Sequence, residues 1–230
     1  MSSSGRRWRA VLEGSRRMTD EDASVVAEIE ELRQSAASCE RCELCQTRTN
    51  VVFGEGNPDT PLMIVGEGPG ENEDATGRPF VGRAGALLDQ VLRESGLTRK
   101  HVYITNVIKC RACVTEGGRT RNRPPRISEI SACSYWLDQQ VALIQPLVIL
   151  CLGAPAANTV IHRDFRMTQE RGQLFESRYA RYAIAALHPA YILRQDGEMF
   201  EQTRSSLAAD IGLARRKVIE AKKEPRKTLF

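Results

Sequence analysis

The chain has 230 residues, 41% of them hydrophobic, and 33 Lys and Arg against 29 Asp and Glu leave a net charge of +4. That is apolar material enough for one α/β domain. It excludes a membrane protein, because no apolar run approaches the roughly 20 residues that a span requires. The N-terminal stretch has arginines but no apolar segment of the signal-peptide kind, so an intracellular, cytoplasmic protein is expected.

Charge is concentrated at the ends. Five arginines stand against Glu13 in the first 17 residues, and the closing ARRKVIEAKKEPRKTLF is also basic. Such ends attract a polyanion, or are simply solvated tails. Residues 1–20 read as a disordered basic extension, 21–214 as the folded domain and 215–230 as a basic tail. Residues 21–37 read as a helix with Val25, Val26, Ile29 and Leu32 on one face. It leads into CERCELC, which holds three of the seven cysteines. With no secretion signal, this crowding points to a metal or cluster site and not to disulfides. Cys39 and Cys42 form a CxxC half-site, with Cys110 and Cys133 as the natural partners. Zinc and a four-iron cluster both accept four thiolates, and spacing does not separate them.

Residues 62–67 form a fully apolar strand of the buried, parallel kind. The GEGPGENEDATGRPFVG loop that follows is neither a P-loop nor GxGxxG. Its acids, Glu67 among them, are poor phosphate ligands. A helix over 83–95 is ended by Gly96. A second strand covers 101–108, and a helix over 128–144 has Ser128 as its expected cap. A third strand covers 146–153 and includes Cys151 as inert packing; a short helix follows. A fourth strand covers 181–188, and an amphipathic helix runs from about 198 to 222. Such alternation predicts an α/β fold: three layers, α/β/α, around a central four-stranded parallel sheet.

Ligands of such sheets bind outside the C-terminal strand ends. Three informative segments fall there: GEGPGENED, Asn106 and HPAYILR. His188 is one of three histidines. Tyr191, Ile192 and Leu193 beside Arg194 read as an apolar wedge for a base stack. The alternative is that Ile192 and Leu193 pack inward.

From Cys39 to about Arg194 the chain resembles the family 4 uracil-DNA glycosylases, the iron–sulfur branch of that superfamily. The matching stretches are CERCEL, RTNVVFGEGNP, LMIVGEGPGENEDATGRPFVGRAGALLD, VYITNVIKCR, NRPP, LVILCLGAPAA and LHPAYILR. The resemblance implies uracil-containing DNA, single- or double-stranded, as the partner. It also implies monofunctional hydrolysis of the N-glycosidic bond at the start of base excision repair. A [4Fe-4S] cluster is implied on Cys39, Cys42, Cys110 and Cys133. Glu67 and Gly68 fall in the first motif, Glu73 and Asp74 in its ED pair. Phe80 matches the stacking aromatic, Asn106 the uracil-edge asparagine, Asn122 the asparagine of NRxP, and His188 the histidine facing uracil O2. Catalysis is thus expected from Glu67, Asn106 and His188, and DNA contact from Arg123, Tyr191, Ile192, Leu193 and Arg194.

One departure is an insert between Cys110 and Cys133, longer than the compact KCRPPxNR form. A related branch traps its excised site through a histidine in this loop. The insert here, with RTRNRPP in the matching neighbourhood, contains none, so turnover is expected. It adds Cys113, which, like Cys45, is a substitute ligand to be tested. Its Arg119, Arg121, Arg123 and Arg126 are candidate phosphate contacts. Competing readings are a glycosylase for hypoxanthine or xanthine, a DNA-binding module without activity, and a zinc-stapled protein. A monomer is expected, and KTLF weakly resembles tails that dock on sliding clamps.

Overall fold

The computed structural model describes residues 20–224. The expected basic extension up to residue 19 and the KTLF end lie outside the described residues. Helix α1 (Asp20–Ala37) leads to a single 3-10 turn (Glu43–Gln46), which Cys42 precedes as its cap and which contains Cys45. Four strands then form the parallel centre: β2 (Leu62–Gly66), β3 (Tyr103–Asn106), β6 (Val148–Leu152) and β8 (Tyr182–Ala186). Two two-residue antiparallel edges, β1 (Glu55–Gly56) and β7 (Leu174–Phe175), extend the sheet to six strands in the order β1-β3-β2-β6-β8-β7. The four expected strands are all present; the edges are too short to leave a pattern.

Alternation along each strand feeds two cores, one per face. Met63, Val65, Tyr103, Ile149, Cys151, Ala183 and Ala185 face one side. There α1, α4 (Ile127–Ile144) and α5 (Ala154–Val160) cover them with Ile29, Leu137 and Ala157. Leu62, Ile64, Ile104, Leu150 and Ile184 face the other. They meet Leu88 and Val91 of α3 (Arg83–Glu94), and Leu207, Ile211 and Val218 of α8 (Gly197–Ala221). Val218 and Ala221 are buried, so the folded domain runs past the expected boundary at 214.

Two local expectations change. Helix α4 starts at Ile127 with Arg126 as its cap, not Ser128: the Arg126 N–H goes to the Glu129 carboxylate at 2.7 Å. The insert is not an irregular loop. It forms an antiparallel ribbon of β4 (Cys113–Glu116) and β5 (Arg119–Asn122), closed by Gly117 and Gly118. Both glycines have positive φ, which suits the two-residue turns that hairpins favour.

Candidate active site and cysteine cavity

A cleft of about 530 Å³ opens outside the C-terminal ends of β2, β3 and β8. It lies at the switch point, where the chain order leaves β2 for β3 on one side and β6 on the other. Glu67, Gly68, Glu73, Phe80, Asn106, Asn122, Arg123 and His188 all line it, three of them, Phe80, Asn106 and His188, expected at the base itself.

Asn106 ends β3 and pairs in parallel register with Gly66 at the end of β2. A Cβ at position 66 would collide with Asn106 Oδ1 and lie 2.6 Å from Phe80 Cζ. Glycine there lets the asparagine and the phenyl ring meet at the floor. Asn106 is buried, and its Oδ1 is the one buried side-chain polar atom without a hydrogen-bond partner among the described residues. An orphaned acceptor of this kind costs about 1–3 kcal/mol, which a ligand N–H recovers.

Phe80 has φ 53°, a left-handed backbone that a bulky residue adopts only when held. Two groups hold it. Glu73, on α2 (Glu71–Thr76), accepts Val81 N at 2.9 Å and Gly82 N at 3.0 Å with Oε1, and Gly70 N at 3.1 Å with Oε2. Arg99 donates to Pro79 O at 2.9 Å and to Phe80 O, and is anchored by Glu55 and by Asp89 at 2.8 Å. The Glu73 carboxylate is therefore taken by three backbone N–H groups and positions the loop. Asp74, expected beside it, does not reach the cleft. It is buried with its carboxylate on Thr49 N at 3.0 Å, because adjacent helix residues point about 100° apart.

His188 is held through Nδ1, which accepts Ala190 N at 3.1 Å, leaving the ring proton on Nε2. Burial and the nearby Arg194 charge pull its pKa down to about 4, against a smaller opposing effect of Glu73. At neutral pH it is an uncharged donor, its ring 5.7 Å from that of Phe80. Burial raises the pKa of Glu67. Asn122 Oδ1 accepts Arg111 Nε at 2.7 Å, so an arginine the sequence reading did not single out orients it.

The expected wedge is corrected. Ile192 lies in the one-turn helix α7 (Pro189–Ile192) and is fully buried in the α3–α8 core, with Leu193 packed beside it. Tyr191 and Arg194 remain exposed, with the guanidinium 5.9 Å from the ring centre. Arg123 reaches the rim, but its guanidinium is committed to buried Glu129 at 2.5 Å and 2.8 Å.

A second, smaller cavity lies behind the first. Cys39, Cys42, Cys110 and Cys133 all line it; Cys45 and Cys113 do not. Three N–H groups point at its sulfurs: Trp136 Nε1 to Cys39 at 3.2 Å, Lys109 N to Cys133 at 3.2 Å and Arg48 Nη1 to Cys110 at 3.7 Å. Burial pushes the Cys110 thiol up to about 12 and raises Cys42 and Cys133. Thiolates there need a cationic centre, so the donor set fits a thiolate-bound metal group. The two cavities share a wall. Asn106, Ile108 and Ala112 face the cleft, while Lys109 and Cys110 face the cysteines. Buried Lys109 braces that wall, donating to Thr105 Oγ1 at 2.7 Å, Asn106 O at 2.6 Å and Gln140 Oε1 at 2.7 Å.

A doubly covered parallel sheet with this cleft matches a described family: residues 53–211 fit the model of the Uracil DNA glycosylase superfamily. The type-4 uracil-DNA glycosylase of Thermotoga maritima is 45% identical over 167 residues, 72% of this chain and 83% of that protein. That of Sulfurisphaera tokodaii is 42% identical over 72% of this chain and 76% of its own. A type-5 enzyme of Pyrobaculum aerophilum is 27% identical over 68% and 75%. The chain belongs to the uracil-DNA glycosylase superfamily and, within it, to the type-4 family.

Proposed function

We propose that the cleft releases uracil from DNA by hydrolysis of its N-glycosidic bond, as a DNA N-glycosylase that opens base excision repair. The orphaned Asn106 Oδ1 carries this reading. Uracil extruded from the stack brings an N3–H donor to that oxygen and its O4 to the Asn106 amide N–H. Cytosine has no hydrogen on N3 and would set acceptor against acceptor, so it leaves the buried atom unpaired. A site built to bond a group rejects analogues lacking it steeply. Phe80 supplies the stacking face.

The N1–C1′ bond breaks with its electron pair moving to uracil, and water adds to the sugar cation at C1′. The neutral His188 Nε2–H donates to O2, where negative charge grows, and needs no proton transfer to do so. Glu67 sits at the same mouth, where its carboxylate favours the sugar cation and orients the water. Gly68 offers no base, so leaving-group stabilisation carries most of the rate. The water's proton balances the departing uracil anion.

Cys39, Cys42, Cys110 and Cys133 would hold a [4Fe-4S] cluster. Among the described residues no three His, Cys, Asp or Glu side chains are placed to hold a single metal ion. Four thiols frame one cavity, a donor set that a four-iron cluster takes. When bound, it supplies a cationic cross-link between the CxxC segment, the shared wall and α4. No described helix is long and apolar enough to cross a membrane, and an intracellular, nucleoid-associated enzyme fits the free cysteines.

A broader reading has one specific support: hypoxanthine also presents an N–H beside a carbonyl, and the cleft has room for a purine. The discriminating experiment incubates iron-loaded protein with duplexes holding uracil, hypoxanthine, xanthine or thymine opposite the same partner, and measures the free base released. Uracil alone, or uracil far ahead, is expected. Hypoxanthine release at an equal rate would move the assignment to deaminated bases in general, and release of no base would refute it.

A further inference from the structure

The β4–β5 ribbon stands out from the domain with no other element packed behind it among the described residues. Every residue from Thr115 to Asn122 is exposed, and a Cβ at Gly117 or Gly118 would meet no atom within 4 Å. A lone two-stranded ribbon is marginally stable in water. This one is held by its own rungs, Thr115 Oγ1 to Thr120 Oγ1 at 2.9 Å and Arg121 to Glu116 at 2.8 Å, and is pinned at its base by Arg123 N to Ala112 O at 3.0 Å. Its foot is part of the cleft, because Asn122 belongs to β5 and also lines the cavity.

The register sorts its side chains. Cys113↔Asn122 and Thr115↔Thr120 are paired, so Thr115 and Thr120 share the face of Asn122. Val114, Glu116, Arg119 and Arg121 take the other. From Asn122 to Arg119 the strand advances about 10 Å, about three nucleotide steps along a stacked strand. The Arg119 side chain has no ion-pair or hydrogen-bond partner among the described residues. Arg121 has only an exposed pair with Glu116, the kind worth little in water and readily exchanged for a phosphate.

We propose that the Cys113–Asn122 ribbon is a DNA-binding arm that continues the cleft wall along the nucleotides flanking the excised base. The Thr115 and Thr120 hydroxyls face those nucleotides beside Asn122, and Arg119 and Arg121, on the ribbon's other face, take phosphates across the groove. A two-stranded ribbon has the cross-section that a DNA groove admits. Duplex substrate is its occupant because its foot is the cleft and its free charge is cationic. The proposal rests on the uracil-DNA reading above.

The test compares the full, iron-loaded chain with R119S/R121S on two substrates. One is a 30-base-pair duplex with a single U:G pair; the other is a trinucleotide with central uracil, too short to reach the ribbon's tip. On the duplex, kcat/KM is expected to fall about tenfold at low salt. The salt dependence should become shallower by about two logarithmic units per tenfold salt, for two lost phosphate contacts. The trinucleotide rate and the melting temperature should hold, which also shows that the variant is folded. An equal fall on both substrates, or no fall on the duplex, would overturn the arm. Wild-type protein releasing uracil from neither substrate would overturn the functional reading, and the arm with it.

Discussion

Gly66 shows how one missing side chain builds the site. Two functional groups converge where its Cβ would stand, so Gly66→Ala should push Phe80 and Asn106 apart. Excision should fall at least about 100-fold, or about 2.7 kcal/mol of transition-state stabilisation, in single-turnover kinetics. His188 sets a pH dependence. Its folded pKa lies below that of an unfolded histidine, so between pH 6.5 and about 4 the unfolded chain takes up a proton that the native site refuses. Its contribution therefore lowers stability as pH falls through that window and is constant above it. Nitrogen-15 NMR should report the Nε2–H tautomer from pH 8 down to about 5. An imidazolium signal at pH 6 would contradict the assignment. Asp74 and Arg99 mark what residue-scale reading could and could not reach. A motif names Glu73 and Asp74 together, yet helix geometry turns only one toward the cleft. Arg99 secures Phe80 through Glu55 and Asp89, partners that no local pattern links.

The N-terminus of α4 organises the far rim of the cleft. Glu129 closes the cap by accepting Arg126 N and grips Arg123 through both oxygens, which holds its carboxyl below the usual range, Arg123 first among the causes. Glu129→Ala should cost about 2 kcal/mol in urea unfolding, the scale of hydrogen bonds to a charged group; a change under 0.5 kcal/mol would contradict the role given to this cap. The cysteines make a sharper prediction. Cys42→Ser or Cys110→Ser should abolish absorbance near 400 nm and lower bound iron, whereas Cys45→Ser and Cys113→Ser should leave both intact. Elements were legible where physics is local. Strands β2, β6 and β8 are continuous apolar runs, and α3 repeats its apolar residues at helical spacing. The ribbon carried a signal that went unread: Gly-Gly between VTE and RTR is a hairpin turn flanked by strand formers. For Ile192 the pattern left wedge and inward packing both open, and a one-turn helix that turns it into the core decides for the second.

Across the whole molecule, the cleft and the cysteine cavity lie back to back on the segment from Asn106 to Ala112. That arrangement would tie a metal group held by the four cysteines to base recognition through the shared wall. Iron removal should therefore lower the melting temperature and weaken binding of uracil-containing DNA together. Retained binding by apo-protein of native melting temperature would separate them. The position of the cleft at the sheet's C-terminal edge was legible because three unrelated motifs end there. The two-face core follows from strand alternation alone. The central claim is that buried Asn106 reads the uracil edge, and one measurement tests it most directly. Uracil release from an end-labelled U:G duplex is compared for wild-type and Asn106→Ala protein, both iron-loaded and folded, with T:G and C:G duplexes as controls. The account predicts cleavage at uracil only, and a loss of about 1,000-fold in the variant, on the scale of a single catalytic hydrogen-bonding group. Excision by the variant at the wild-type rate, or comparable wild-type release of cytosine, would contradict it.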